Sequence, residues 1–201
     1  MKNKVNIRYL TTLSVLVAIE IIFAFTPLGY LKVGVIELTF MTLPVIVGAA
    51  ALGPAAGAVL GAVFGITSFA QCFGMSAFGA ALLAINPIFT FIVCLVPRVL
   101  TGWLGGLVFK AVAKFDKTKL LSYLASSVVT PLLNTVLFTG TLMLLFWTNG
   151  EFIAKMTEWA IPVDAIGAFV VAFVGMNGLI EAGVCAVIGT IITKALSKIF
   201  K

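Results

Sequence analysis

The chain has 201 residues, of which 62% are hydrophobic and only 10% charged, with a formal net charge of +6. Soluble domains carry about 25% charged residues, so this balance excludes a water-soluble fold and points to apolar spans crossing a hydrocarbon core of about 30 Å. The basic residues stand in short clusters between apolar runs, which is how topology signals are arranged, and they do not indicate a nucleic-acid partner.

Six helices account for the chain as one membrane domain, an all-α bundle over residues 1–201. The first is predicted from Tyr9 to Thr26. It has a basic start but no small-residue cleavage signal before Pro27, so it reads as a retained span rather than a leader. The second runs from Val35 to Leu52. Gly53-Pro54 turns the chain, because Gly permits positive φ and Pro suits a helix start. The third covers Ala55 to Ala70, and a loop from Gln71 to Gly79 with room for a short helix follows. The fourth is expected from Ala84 to Ala113, the fifth from Leu120 to Trp147 and the sixth from Val163 to Leu196. With the N-terminus inside, ten Lys and Arg residues fall on the inner side and two, Lys32 and Lys155, on the outer side. That bias predicts both termini to be cytoplasmic. Trp147 and Trp159 flank the outer segment before the sixth helix, as interface anchors do.

In the third helix, Gly57, Gly61 and Gly65 form a GxxxGxxxG stripe that lets another backbone approach closely. Its partner is either a helix of this chain or another protein. Cys72, Cys94 and Cys185 form no CxxC and read as small buried hydrophobes. There is no histidine, which removes the commonest general base and metal ligand, and neither a metal nor a cofactor is expected.

Three charges lie deep in apolar runs: Glu20, Arg98 and Glu181. Each costs about 2.5–3.5 kcal/mol at mid-membrane on insertion scales, so each is expected to face an interior or cavity. Arg98 is central in the fourth helix beside Pro97. Asn134 is central in the fifth. Asn177 precedes Glu181 by one turn on the same face of the sixth. If these helices are neighbours, the polar groups converge at one depth. An arginine fork matches a carboxylate, and asparagines offer donors and acceptors to amides and hydroxyls. The alternative is an Arg98–Glu181 pair that holds the bundle. Glu20 faces the site, a partner helix or the outer interface.

The order of motifs resembles a known family. Thr26-Pro27-Leu28-Gly29-Tyr30 is followed by Leu43-Pro44-Val45-Ile46-Val47-Gly48 and Leu52-Gly53-Pro54-Ala55-Ala56-Gly57. Then come Phe64-Gly65-Ile66-Thr67-Ser68-Phe69, Pro97-Arg98-Val99-Leu100-Thr101-Gly102, Asn134-Thr135-Val136-Leu137 and Asn177-Gly178-Leu179-Ile180-Glu181-Ala182. Over nearly its whole length the chain resembles the substrate-binding S component of energy-coupling factor vitamin importers, most closely the pantothenate-type branch. The resemblance implies six helices, a vitamin site open to the outside, a membrane scaffold subunit and two cytoplasmic ATPases as partners, and toppling in the plasma membrane to deliver the vitamin. It also implies that the chain is not itself an enzyme; no GxxxxGK[ST] phosphate loop is present. Arg98 then receives a carboxylate, Asn134, Asn177 and Glu181 line the same site, and loops carrying Tyr30 and Gln71 form its outer lid. The family's AxxxA docking pattern is represented here by Ser14 and Ala18. Other vitamins, riboflavin or a thiamin precursor, and a proton-coupled transporter using Glu20 and Glu181 are the alternative readings.

Overall fold

The computed structural model describes residues 7–26, 29–33, 36–116, 118–161 and 178–197. Helix α1 (Ile7–Ala24) buries Leu16, Glu20 and Ala24 along one face at four-residue spacing. Its other faces expose Ile7, Leu10, Val15, Ile19, Ile21 and Ile22, a surface suited to lipid or to another apolar helix.

Next comes a β-hairpin, where the sequence predicted the start of the second helix. Strand β1 (Tyr30–Val33) pairs antiparallel with β2 (Ile36–Thr39), placing Lys32 opposite Glu37. Ile36-Glu37-Leu38-Thr39 alternates apolar and polar, a period of two that suits a strand better than a helix. The amide of Phe40 donates to the carbonyl of Gly29 at 2.8 Å and closes the hairpin's base. Helix α2 is therefore only Thr42–Leu52, and it is buried on nearly every side from Thr42 to Ala49.

At Gly53, φ is +100°, and Pro54 opens helix α3 (Pro54–Gln71), so the predicted turn is present. The glycine stripe of α3 packs within the chain, against helix α5 (Pro87–Val112). A Cβ at Gly57 would overlap the carbonyl of Gly102, and one at Gly61 the carbonyl of Arg98. One at Gly65 would sit 2.8 Å from the Cα of Leu95. Of the two partners open to the stripe, the structure selects the internal one.

The predicted fourth helix is divided. Helix α4 (Ala77–Ile85) starts at Ser76, whose hydroxyl accepts from the amide of Gly79 at 3.1 Å. Helix α5 starts afresh after Asn86, whose Oδ1 accepts from the amides of Ile88 and Phe89, both at 3.1 Å. Asn at the cap and Pro87 at the first helical position form a strong start signal, and it interrupts the continuous apolar run.

Helix α6 (Leu120–Phe146) is as predicted to within a residue. Asp116 fixes its entry by accepting from the amides and hydroxyls of Thr118 and Ser122 at 2.8–3.2 Å. Partial burial pushes the Asp116 carboxyl up, but these four bonds outweigh it and hold the pKa at about 2, so the loop carries a carboxylate at neutral pH.

An amphipathic helix α7 (Gly150–Glu158), which the sequence left as a connecting segment, is capped by Asn149 and buries Phe152 and Met156. These two join Leu82 of α4, Val93 of α5, and Leu142 and Phe146 of α6 in one cluster. At the end of the described chain lie α8 (Leu179–Val184), a π-helical turn (Cys185–Gly189) and α9 (Thr190–Ser197). The first half of the predicted sixth helix, 163–177, lies outside the described residues.

Among the described residues, α1, α3, α5 and α6 are long and apolar enough to cross a membrane, and α2 is a shorter apolar helix. The protein is an essentially helical bundle, with a single small hairpin among its described residues.

Candidate functional site

Pro97 sets the local geometry around Arg98. Proline has no N–H, so the carbonyl four residues earlier, on Val93, loses its usual helical partner. Arg98 supplies one: its Nη1 donates to the Val93 carbonyl at 2.6 Å. That bond folds the guanidinium back along α5 towards the cluster formed by Val93, α4, α6 and α7. The Phe138 ring of α6 meets the guanidinium with its centroid 4.4 Å away, and Phe64 of α3 lies at 5.4 Å. Such cation–π contacts stabilise a desolvated cation by about 2 kcal/mol or more, yet they consume no hydrogen-bond donor. The Nε–H of Arg98 is buried and has no partner among the described residues.

Asn134 lies one helical turn from Phe138, so both face the same way from α6. It is buried, and its Oδ1 has no partner among the described residues. The hydroxyls of Thr101, three residues past Arg98, and of Thr130, four before Asn134, are also buried without one. A buried polar group left unsatisfied costs about 1–3 kcal/mol, so groups of this kind are usually completed by a polar ligand or water.

Glu181 does not form an ion pair with Arg98. Its Oε1 instead accepts from the Thr42 hydroxyl at 2.8 Å, and that hydroxyl lies 3.5 Å from the Sγ of Cys185. No Arg98–Glu181 contact falls within ion-pair range among the described residues. Glu181 thus joins α8 to α2, while Arg98 joins α5 to α3 and α6.

The other sequence candidates separate. Gln71 is buried, and its Nε2 donates to the carbonyl of Ala24, tying the end of α3 to the end of α1. Tyr30 is in β1, and its side chain lies outside the described residues, as does Asn177. Gly178, the next residue, sits against the Thr135 side chain of α6. Ser14 and Ala18 are exposed on α1, away from its buried face. The sequence reading did not anticipate Thr42, Phe64 or Phe138. A signal for Phe138 was its four-residue spacing from Asn134, and for Phe64 its place beside the glycine stripe.

Glu20 is fully buried beside the cluster of Leu16, Ala24, Met41, Val45, Leu60 and Phe64, and neither carboxylate oxygen has a partner among the described residues. Helices α2 and α3, packed against this face, carry no charged side chain. Glu20→Leu is therefore expected to raise the melting temperature in detergent, by removing an unsatisfied group that costs about 1–3 kcal/mol. A lower melting temperature would show that the carboxylate holds a partner.

Among the described residues no cluster of three or more His, Cys, Asp or Glu could hold a metal. A search of curated proteins finds no match. The sequence does match the model of the family described as the ECF transporter, substrate-specific component, over residues 8–193. The chain belongs to that family. As an S component it is a membrane subunit that gives an uptake system its substrate specificity, with a small-molecule substrate and transporter partners at the membrane. The matched range includes Arg98, Asn134 and Glu181, and it also covers the exposed face of α1.

Proposed function

We propose that this S component captures pantothenate, or a vitamin of the same chemistry, from outside the cell and hands it inward with a membrane scaffold subunit and two cytoplasmic ATPases. The observation that carries the reading is Arg98: a stacked guanidinium whose buried Nε–H has no partner among the described residues, facing the helix that bears the Oδ1 of Asn134, which has none there either. A carboxylate completes the arginine fork. Asn134 takes a hydroxyl or amide N–H, and Asn177 serves the remaining groups. Pantothenate offers one carboxylate, one amide and two hydroxyls. Riboflavin lacks the carboxylate and is a poorer match.

In this reading the chain has six spans with both termini in the cytoplasm of a bacterial or archaeal cell, as the Lys/Arg bias requires. It hydrolyses nothing itself. The hairpin bearing Tyr30 and the segment from Gln71 through α4 cover the outer end. Ser14 and Ala18, exposed on α1, form the small-residue face that docks on the scaffold.

Equilibrium binding to the purified chain in detergent tests the reading, with pantothenate, biotin and riboflavin compared. Selective binding of pantothenate is expected. Binding of riboflavin in preference to both carboxylates would overturn the assignment of Arg98 and leave the family membership intact.

A further inference from the structure

Cys72 ends α3, and Cys94 lies two turns into α5. Both are buried, their sulfurs are 3.9 Å apart, and neither is in a disulfide. A disulfide bond needs a separation of about 2.05 Å, so the sulfurs must close by about 2 Å, which thiol rotation and a small helix shift supply. The backbones already meet here, because Gly65 sits against Leu95 and the carbonyl of Cys94.

We propose that Cys72 and Cys94 are a reversible oxidation site, closing to an intrachain disulfide that staples α3 to α5. The oxidant is a peroxide, which is small and uncharged enough to reach buried thiols. One cysteine sulfur attacks a peroxide oxygen, breaking the O–O bond and leaving a sulfenic acid and one water. The second thiol attacks that sulfur, forms the S–S bond and expels the second water. Two thiols thus lose two protons and two electrons, and hydrogen peroxide takes both. A dithiol reductant reverses the bond by exchange.

The staple lies next to the candidate site. Arg98 is one turn beyond Cys94 on α5. The sulfur of Cys72 supports Gly79 in the first turn of α4, where a Cβ would meet it at 2.6 Å. Phe78 of α4 packs on Phe138, the ring that stacks on Arg98. Drawing Cys72 towards Cys94 therefore moves the seat on which α4 rests.

The test uses the full chain in detergent, treated with hydrogen peroxide, quenched, denatured and labelled with a maleimide polymer. Labelling is expected to fall from three thiols per chain to one, with a linked Cys72–Cys94 peptide lighter by two hydrogens. Dithiothreitol should restore all three. Cys185, buried against Thr42 and in no sulfur contact with either of these cysteines among the described residues, stays labelled and is the internal control. Cys185→Ser should fall from two labels to none, whereas Cys72→Ser should retain Cys94. Three labels after peroxide, or equal loss of Cys94 in Cys72→Ser, would overturn the proposal. If Cys72→Ser does not fold, the linked peptide in the wild-type chain and the Cys185→Ser count decide it. None of these readouts needs the vitamin, so the site stands or falls apart from the substrate assignment.

Discussion

Arg98→Ala is expected to abolish binding of the carboxylate vitamin while leaving a folded bundle. Truncating one partner of a buried, hydrogen-bonded charge pair costs about 2–5 kcal/mol, so affinity should fall by roughly 30-fold to several thousand-fold. The fall is that large because the guanidinium is held before ligand arrives. Its stem is fixed on α5, one N–H is spent on Val93, and its face is stacked on Phe138. The remaining donors are presented without further ordering, and preorganisation of this kind is where affinity comes from. Arg98→Lys keeps the charge but loses the planar fork and the stacking, and it should bind more weakly than wild type. Isothermal titration calorimetry on each variant checks the order. A purely structural Arg98 predicts the opposite pattern: a lower melting temperature in Arg98→Ala, partly restored by adding Glu181→Gln to remove the charge left behind. Because Thr42, not Arg98, holds the carboxylate of Glu181, that restoration is not expected.

The long apolar spans were legible because hydropathy and length are local properties. Helices α3 and α6 lie where the sequence placed them, and Gly53-Pro54 turns the chain as expected. The misreadings came where apolar composition hid a second signal. Ile36–Thr39 is apolar enough to extend a span, but it alternates and forms a strand. Asn86-Pro87 sits inside an unbroken apolar run, yet it caps one helix and ends another. The site divides in the same way. That Arg98 and Asn134 both face the interior follows from the cost of a polar group in lipid. That Thr42 would take Glu181, and that Phe64 and Phe138 would take Arg98, depends on which helices are neighbours, and no single span carries that information. The Arg98–Glu181 pair, the alternative reading of the sequence, is not formed for this reason. Glu181 is buried and Arg98 half-buried, and they are held by different helices.

The glycine seam between α3 and α5 should be the most sensitive place in the bundle outside the site. Gly61→Leu is expected to prevent recovery of monodisperse protein, and Gly61→Ala to lower its melting temperature. A Cβ at Gly61 would be built into the Arg98 carbonyl, and at neighbouring turns Gly57 and Gly102 each face the other's backbone. Backbone atoms cannot rotate aside as the end of a side chain can, so the helices must separate. Overpacking of this kind costs about 1–3 kcal/mol for a small group and more for a large one. In lipid no hydrophobic force pulls the helices back together, because close packing itself is the main attraction. Gly140→Ala on α6 is the matched control. Its Cβ meets nothing within 4 Å, and alanine in a helix is favoured over glycine by about 1 kcal/mol. Thermal unfolding followed by size-exclusion chromatography should therefore order the variants as Gly140→Ala at or above wild type, then Gly61→Ala, then Gly61→Leu. The same seam carries the backbone of Arg98, so Gly61→Ala should also weaken vitamin binding though it touches no ligand. A Gly61→Ala variant with wild-type stability and affinity would mean that α3 and α5 do not pack on glycine, and the position assigned to Arg98 against Phe138 would fall with it.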